Sequence, residues 1–506
     1  MFKTFIGYHL EEERRKAKNH LRKLHATSRL TKVIIAALAF IMLWNMPSDW
    51  FGIPNLTVIE QRVIACFCLA TMMWILEAIP AWNTSVAIIV ILLFCCSDSS
   101  LSYMVSGYEA EELGAIISYK KIMACFADPI IMLFIGGFIL AIAATKSGLD
   151  VKLAKVMLKP FGTKSENVLL GFLLVTGIFS MFLSNTATAA MMLTFLAPVL
   201  KSLPANGKGR ICLALAIPIG ANIGGIGTPI GTPPNAIALK FLNDPEGLNM
   251  NIGFGQWMMI MTPFALALLF IAWGVLLKLF PFTQKTIELQ IEEGKKKEGW
   301  SKWQSTVVYI TFAITILLWM FDKITGVNSN VVAMLPVGVF SVCGIITRTD
   351  LEEINWSVLW MVAGGFALGV ALQDTGLATH LIETIPFNTW PPVIMIVGSG
   401  ILCYAMANFI SHTATANLLV PILAVAGTSC AANLAAFGGV STLLIGVALG
   451  SSLAMVLPIS TPPNALAHAT GLIEQKQMVR TGLIMGITGL VIGYVLLIFV
   501  GQAGLL

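Results

Sequence analysis

Long apolar runs alternate with short polar stretches along this chain: VIIAALAFIMLW begins at Val33, SVAIIVILLF at Ser85, TFAITILLWM at Thr311 and GLIMGITGLVIGYVLLIFV at Gly482. Each approaches or reaches the ~20 residues that a helix needs to cross ~30 Å of hydrocarbon. Lipid offers no partner to a bare amide or carbonyl, so such runs fold as helices that satisfy their own backbones. Counting them predicts an all-α polytopic membrane bundle of about eleven spans. A β-barrel would need short segments of alternating polarity, and none is seen.

Composition agrees. Of 506 residues, 57% are hydrophobic and 11% charged, against about 25% charged in a soluble domain. The nine cysteines (Cys66, Cys68, Cys95, Cys96, Cys125, Cys212, Cys343, Cys403 and Cys430) lie scattered in apolar segments without metal-ligand spacing. They read as small buried hydrophobes.

Polar segments divide the chain into an arm (1–32), a first membrane half (33–282), a linker (283–304) and a second half (305–506). The arm holds HLEEERRKAKNHLRKLHATSRLTK, with eight Lys or Arg, too long and too charged for a signal-peptide n-region. It reads as an amphipathic helix whose basic face meets anionic headgroups, on the cytoplasmic side by the positive-inside rule. Interspersed Glu11, Glu12 and Glu13 argue against a nucleic-acid arm. The lysine-rich linker TQKTIELQIEEGKKKEGWSKWQ is expected on the same side.

The two halves repeat one order of polar motifs. SNTATA begins at Ser184 and PIGTPPNAI at Pro229; SHTATA begins at Ser411 and PISTPPNAL at Pro458. Ser184 precedes Asn235 by 51 positions and Ser411 precedes Asn464 by 53. Paired motifs in the same order at nearly equal spacing indicate duplication, and about five spans per half favours inverted copies. Thr-Pro-Pro-Asn in an apolar segment removes two donors and bars regular helix from the residue before it, so each helix breaks there. At membrane depth a break is tolerated only in protein or beside a cavity, and in repeat-built transporters such breaks mark the midplane site.

Candidate chemistry clusters at these motifs. Asn185, Thr186 and Thr188 in the first copy, and Ser411, Thr413 and Thr415 in the second, supply neutral donors and acceptors able to grip a carboxylate; Thr232, Thr461, Asn235 and Asn464 add more at the breaks. A single threonine is more simply explained by back-bonding to its own helix; the duplicated set reads as a site. Ser180, Ser184, the Asn185 amide oxygen and a carbonyl near Gly231 form an all-oxygen nest suited to sodium. In the second copy Ala407 stands for Ser180 and His412 for Asn185, so a hydroxyl and an amide oxygen are missing. A protonated His412 would replace a bound cation; the plainer alternative is a neutral hydrogen-bonded core histidine. His468 reads as structural, Glu77 and Asp128 as capping or pinning residues, and Asp374 as a helix end. No phosphate-binding G-x-x-x-x-G-K-[ST] loop, H-E-x-x-H, G-x-S-x-G or TVGYG filter occurs, which disfavours an ATP-driven pump, a membrane hydrolase and a potassium channel.

With SNT at Ser184 to Thr186, SHT at Ser411 to Thr413, the two TPPN breaks and EAIP at Glu77 to Pro80, the chain resembles the divalent anion/sodium symporters, which carry di- and tricarboxylates. The resemblance covers almost everything after the arm. It implies a plasma-membrane homodimer of eleven-span protomers, two re-entrant hairpins with the SNT motifs at their tips, inverted repeats, and an elevator displacement of a transport domain against a scaffold. By position, sodium would sit among Ser180, Ser184, Asn185 and the Gly231 carbonyl. Substrate carboxylates would meet Asn185, Thr186, Thr232 and Pro233 on one side and Ser411, His412, Thr413, Thr461 and Pro462 on the other. Sodium would be the coupling ion, and no other cofactor is implied.

Ala407 and His412 depart from the sodium-coupled pattern of that family, which also contains exchangers. A charged His412 stays behind when the anion leaves, and carrying it across uncompensated is costly, so return would need a counter-substrate. The expectation is a carrier of C4-type dicarboxylates (succinate, malate, fumarate, 2-oxoglutarate) leaning to exchange, with sodium symport through the first nest as the alternative. A cation/proton antiporter would need acidic residues beside the breaks, and a membrane enzyme would need convergent acid, base and nucleophile; the sequence offers neither.

Overall fold

The computed structural model describes residues 29–204, 207–287, 300–384 and 387–505. Most of the basic arm and most of the 283–304 linker lie outside the described residues. What is described is helical, with two isolated bridges as the β contribution among the described residues.

The helices that position the site are α1 (29–45), α2 (Val58–Leu76), α3 (Ala81–Cys95), α4 (Pro129–Ser147), α5 (Leu149–Leu158), α6 (Ser165–Phe182), α7 (Asn185–Lys201), α8 (Lys208–Gly225), α9 (Pro233–Leu242) and α10 (Phe254–Leu279) in the first half. The second half supplies α11 (Lys302–Met320), α12 (Ser329–Val342), α13 (Trp356–Asp374), α14 (Leu377–Thr384), α15 (Ile394–Ala407), α16 (His412–Ser429), α17 (Gly439–Ser452), α18 (Pro462–Ala469) and α19 (Gln475–Gln502). The order α6 to α10 recurs as α15 to α19: two helices joined at a Ser-x-Thr tip, a helix that breaks at Thr-Pro-Pro, and a long closing helix. The duplication seen in the motifs is thus a duplication of elements.

Seven helices among the described residues are long and apolar enough to cross a membrane, or eight if the pair His412–Ser429 and Ala431–Phe437, bent by 95°, is one span. This is fewer than the eleven expected from apolar runs. The difference has a physical cause: Ala81–Cys95, Asn185–Leu200, Ser329–Val342, Ile394–Ala407 and Gly439–Ser452 are apolar but only 10–17 residues long. At 1.5 Å rise per residue such helices fall short of the ~20 residues of a straight span, and an apolar run alone does not say whether it crosses.

The halves interlock. α9, past the first break, packs on α16 and α17 of the second half, while α18, past the second break, packs on α7 and α8 of the first. α3 packs on α13, and α4 on α11 and α12. α6 and α8 approach closely, since a Cβ on Gly224 would overlap the Gly177 backbone; small residues allow such close contact between membrane helices.

Charged groups near the helix ends behave as the sequence suggests. Asp128 caps α4 by accepting from the Ile130 amide at 2.9 Å. Asp374 ends α13 and pairs with Lys121 at 3.1 Å. Glu77 terminates α2 in the left-handed region at φ 46°, an uncommon conformation for a residue with a side chain. Buried Arg62 is satisfied by the carbonyls of Cys95 at 2.7 Å and Met104 at 2.8 Å.

Candidate functional site

Each polar motif starts a helix. Ser184 caps α7 by accepting from the Ala187 amide, Ser411 caps α16 by accepting from Ala414, and Thr461 caps α18 by accepting from Asn464; Thr232 occupies the cap position of α9. Ser and Thr favour this position because their oxygens satisfy amides the helix leaves unpaired. Proline then fits the first turn of α9 and α18, where an N–H would lack a partner.

These four helix starts meet around one cavity of about 220 Å³. Its lining includes Ser184, Asn185, Thr186, Gly231, Thr232 and Pro233 from the first half and Ser411, His412, Thr413, Thr461 and Pro462 from the second. Every residue that the family resemblance sets against substrate is therefore there, and among the described residues no Asp, Glu, Lys or Arg lines it. Phe134, Phe138, Val358 and Met361 form apolar walls. Thr186 is exposed and Thr413 buried. A helix N-terminus carries roughly half a positive charge, and four of them around neutral hydroxyls and amides make an anion site without a fixed cation.

The candidate cation nest forms behind the first tip. Ser180 is fully buried, does not line the cavity, and places Oγ 2.6 Å from Asn185 Oδ1 and 2.7 Å from the Ala221 carbonyl. A hydroxyl has one proton, so it pairs with one of these oxygens and leaves a surplus acceptor, an arrangement that suits a hard cation. Two glycines make the crowding possible: a Cβ on Gly225 would lie 2.8 Å from Asn185 Oδ1 and 3.0 Å from the Gly231 carbonyl, and one on Gly231 would overlap the Gly225 carbonyl. In the second copy these positions are Ala454 and Ser460. The Ser460 hydroxyl instead donates to the Asn408 carbonyl at 2.8 Å, and His412 Nε2 lies 2.7 Å from the Ala454 carbonyl. The imidazole thus occupies its corner by bonding backbone, and the second nest lacks both the oxygens and the space of the first. Motif comparison found the two missing oxygens; the missing glycines went unnoticed, although they can be read by aligning the breaks.

Some expected site residues serve the fold. Asn235 Nδ2 donates to the carbonyls of Gly225, Ile226 and Thr228, and Asn464 Nδ2 to those of Met455 and Leu457. Both asparagines are buried outside the cavity lining. They satisfy carbonyls freed by the breaks and do not present their amides to a ligand. Thr415 back-bonds to the Ser411 carbonyl at 3.2 Å, and Thr188 is fully buried away from the cavity. His468 lies in the last turn of α18, also outside the lining. Asn222, which the motifs did not single out, lines the cavity and donates across the halves to Thr461 Oγ1 at 3.2 Å and Asn464 Oδ1 at 3.1 Å.

Comparison with known proteins places this geometry. The citrate transporter family model matches residues 71–438. The sodium-dependent dicarboxylate transporter SdcS of Staphylococcus aureus (strain MRSA252) is 30% identical over 92% of this chain and 90% of its own; the protein of the same name from strain USA300 matches equally. Among solved structures, the YdaH transporter of Alcanivorax borkumensis superposes with a TM-score of 0.55 at 13% identity, over 84% of this chain and 98% of that one. MtrF of Neisseria gonorrhoeae does so with 0.51 at 12%, over 83% and 94%. These two share the fold. Duplicated Ser-x-Thr tips, paired Thr-Pro-Pro breaks and family matches across most of its length make this chain a multi-span membrane transporter, not an enzyme, and it belongs to the citrate transporter family and, with its dicarboxylate-transporter relatives, to the divalent anion/sodium symporter type.

Proposed function

We propose that the protein carries small dicarboxylates, the four-carbon succinate, malate and fumarate and the five-carbon 2-oxoglutarate, across the plasma membrane. The observation that supports this most is the meeting of four helix N-termini on a cavity that no Asp, Glu, Lys or Arg lines among the described residues. One carboxylate would lie against Asn185, Thr186, Thr232 and Pro233 and the other against Ser411, His412, Thr413, Thr461 and Pro462. Neutral donors hold a dianion while avoiding an internal ion pair that would be slow to release. The similarity to relatives described as sodium-dependent dicarboxylate transporters points the same way.

The movement we favour is an elevator, in which α6–α10 and α15–α19 travel as one body against α1–α4 and α11–α13, in a homodimer with inverted repeats and a cytoplasmic amino terminus. The interlocking of α9 with α16 and of α18 with α7 supports a single moving unit.

For coupling, we favour exchange. The second nest, without the Ser180 hydroxyl, the Asn185 amide or the paired glycines, offers no place for the second cation that a sodium-driven cycle would use. Sodium symport has two observations in its favour: the crowded oxygens of Ser180, Asn185 and Ala221 in the first nest, and the description of the relatives as sodium-dependent. Radiolabelled succinate uptake into proteoliposomes, empty or preloaded with succinate and with or without an inward sodium gradient, tests both. Uptake confined to preloaded vesicles and indifferent to sodium is the expected result. Concentrative uptake into empty vesicles under the gradient would replace exchange by symport, and no uptake under any condition would remove the dicarboxylate reading.

A further inference from the structure

Asn222 lies on α8, one turn before the first break, and is 1% exposed where it lines the cavity. The orientation of its amide follows from its neighbours. Asn464 Nδ2 is committed to the carbonyls of Met455 and Leu457, so its Oδ1 faces Asn222. Asn222 must then present Nδ2 to that oxygen, and the same nitrogen reaches Thr461 Oγ1. Reversing the amide would set two carbonyl oxygens against each other. With both N–H groups spent, Asn222 Oδ1 is a buried acceptor that has no partner. Thr461 Oγ1 accepts from the Asn464 amide and from Asn222 Nδ2, so its own proton remains free for a ligand carboxylate.

A buried oxygen without a donor is costly, and a ligand that brings the donor recovers that cost. Ionised carboxylates and a methylene chain have no proton to give, so succinate leaves Asn222 Oδ1 unpaired. Asn222 belongs to a first-half helix yet touches second-half Thr461 and Asn464. It therefore lines the same cavity as both sets of helix N-termini, against the second-half wall formed by Thr461. The counterpart position, Ser451, spends its hydroxyl on the His412 carbonyl at 2.8 Å, so the two copies differ here.

We propose that Asn222 is a specificity-determining residue whose Oδ1 accepts the hydroxyl proton of a 2-hydroxydicarboxylate, making malate a better substrate than succinate. This rests on the dicarboxylate reading above and goes beyond it by naming a substrate class and the atom that selects it.

The test is uptake of radiolabelled malate and of radiolabelled succinate by wild-type proteoliposomes preloaded with dicarboxylate, with unlabelled 2-methoxysuccinate as a competitor that keeps the oxygen and loses the proton. Half-saturation for malate is expected at about five- to tenfold lower concentration than for succinate, with 2-methoxysuccinate competing no better than succinate. In Asn222→Ala the malate-to-succinate ratio is expected to fall to about one, a change that a purely structural role would not single out. Equal half-saturation for malate and succinate in the wild type, or 2-methoxysuccinate competing as well as malate, overturns the inference and leaves dicarboxylate transport standing. Absence of uptake for both acids overturns both. The wild-type ligand series decides the matter even if the variant fails to fold.

Discussion

Asp128 Oδ2 and Lys240 Nζ stand 2.8 Å apart, an ion pair tying the cap of α4 to the half-helix α9 beyond the first break. The same carboxylate caps α4 through Oδ1. If α9 travels with the cavity and α4 stays behind, this pair is made at one end of the movement and broken at the other. Replacing both residues by cysteine in a background free of the nine native cysteines, then bridging them with mercury, is expected to abolish uptake, and thiol reduction to restore it. Unchanged uptake in a fully bridged protein would show that α4 and α9 do not separate during transport.

The Ser180 hydroxyl stands between two acceptors, so Ser180→Ala should weaken any cation bound there while leaving the cavity lining unchanged. Sodium affinity, read by calorimetric titration of the purified protein, is expected to fall about tenfold, the scale of one hydrogen bond or ligand, whether or not transport is coupled to the ion. Gly225→Ala should do the same by pushing against Asn185. Unchanged sodium affinity in both variants would place the ion elsewhere.

The second nest lacks space as well as oxygens. Ala407→Thr with His412→Asn is expected to strengthen sodium dependence, and adding Ala454→Gly and Ser460→Gly to strengthen it further. Sodium titration of succinate uptake checks the order wild type, double variant, quadruple variant. A quadruple variant that is indifferent to sodium would sink the account of the second copy.

Thr461 combines two functions: it caps α18 and, with both lone pairs occupied, directs its proton outward. Thr461→Val should raise the half-saturating dicarboxylate concentration about tenfold and cost about 1 kcal/mol of stability through the lost cap. Thr461→Ser should recover both. Uptake curves together with thermal melts in detergent separate the two effects; a Thr461→Val protein with wild-type affinity would argue that Thr461 does not touch substrate.

In the last turn of α4, Lys146 bonds Asp350, which lies outside the spans, at 2.5 Å and the Ile345 carbonyl at 2.7 Å. Burial would raise the Asp350 pKa, but the Lys146 and Thr347 hydrogen bonds outweigh it and hold the carboxyl below its usual value. A depressed folded-state pKa contributes stability above the unfolded value near 3.9 that is lost as pH falls through the folded value. Thermal stability should therefore drop in acid below about pH 4. Asp350→Asn, which leaves Lys146 without its counter-charge, should lose about 3 kcal/mol at neutral pH and show a shallower loss in acid. Equal melting of variant and wild type at pH 7 would mean that the pair contributes nothing measurable.

The sequence by itself determined that this is a duplicated helical membrane protein, and it located the motif residues at the four helix starts, about half of the cavity lining. Apolar run length, the Thr-Pro-Pro breaks and Ser-x-Thr tips are local signals whose meaning does not depend on distant contacts. The roles of Asn235 and Asn464 were not legible that way, because a free amide and one clamped on unwound carbonyls look alike in a chain of letters. Nor was the number of crossings, since an apolar helix of 10–17 residues has the composition of a span without its reach. Only the tertiary structure decided that α9 and α18 pack into opposite halves, which is what turns four separate helix starts into one anion-sized cavity. The same interlocking points Asn222 at Asn464 and leaves its oxygen unpaired, a result of contacts 242 positions apart that no local pattern encodes.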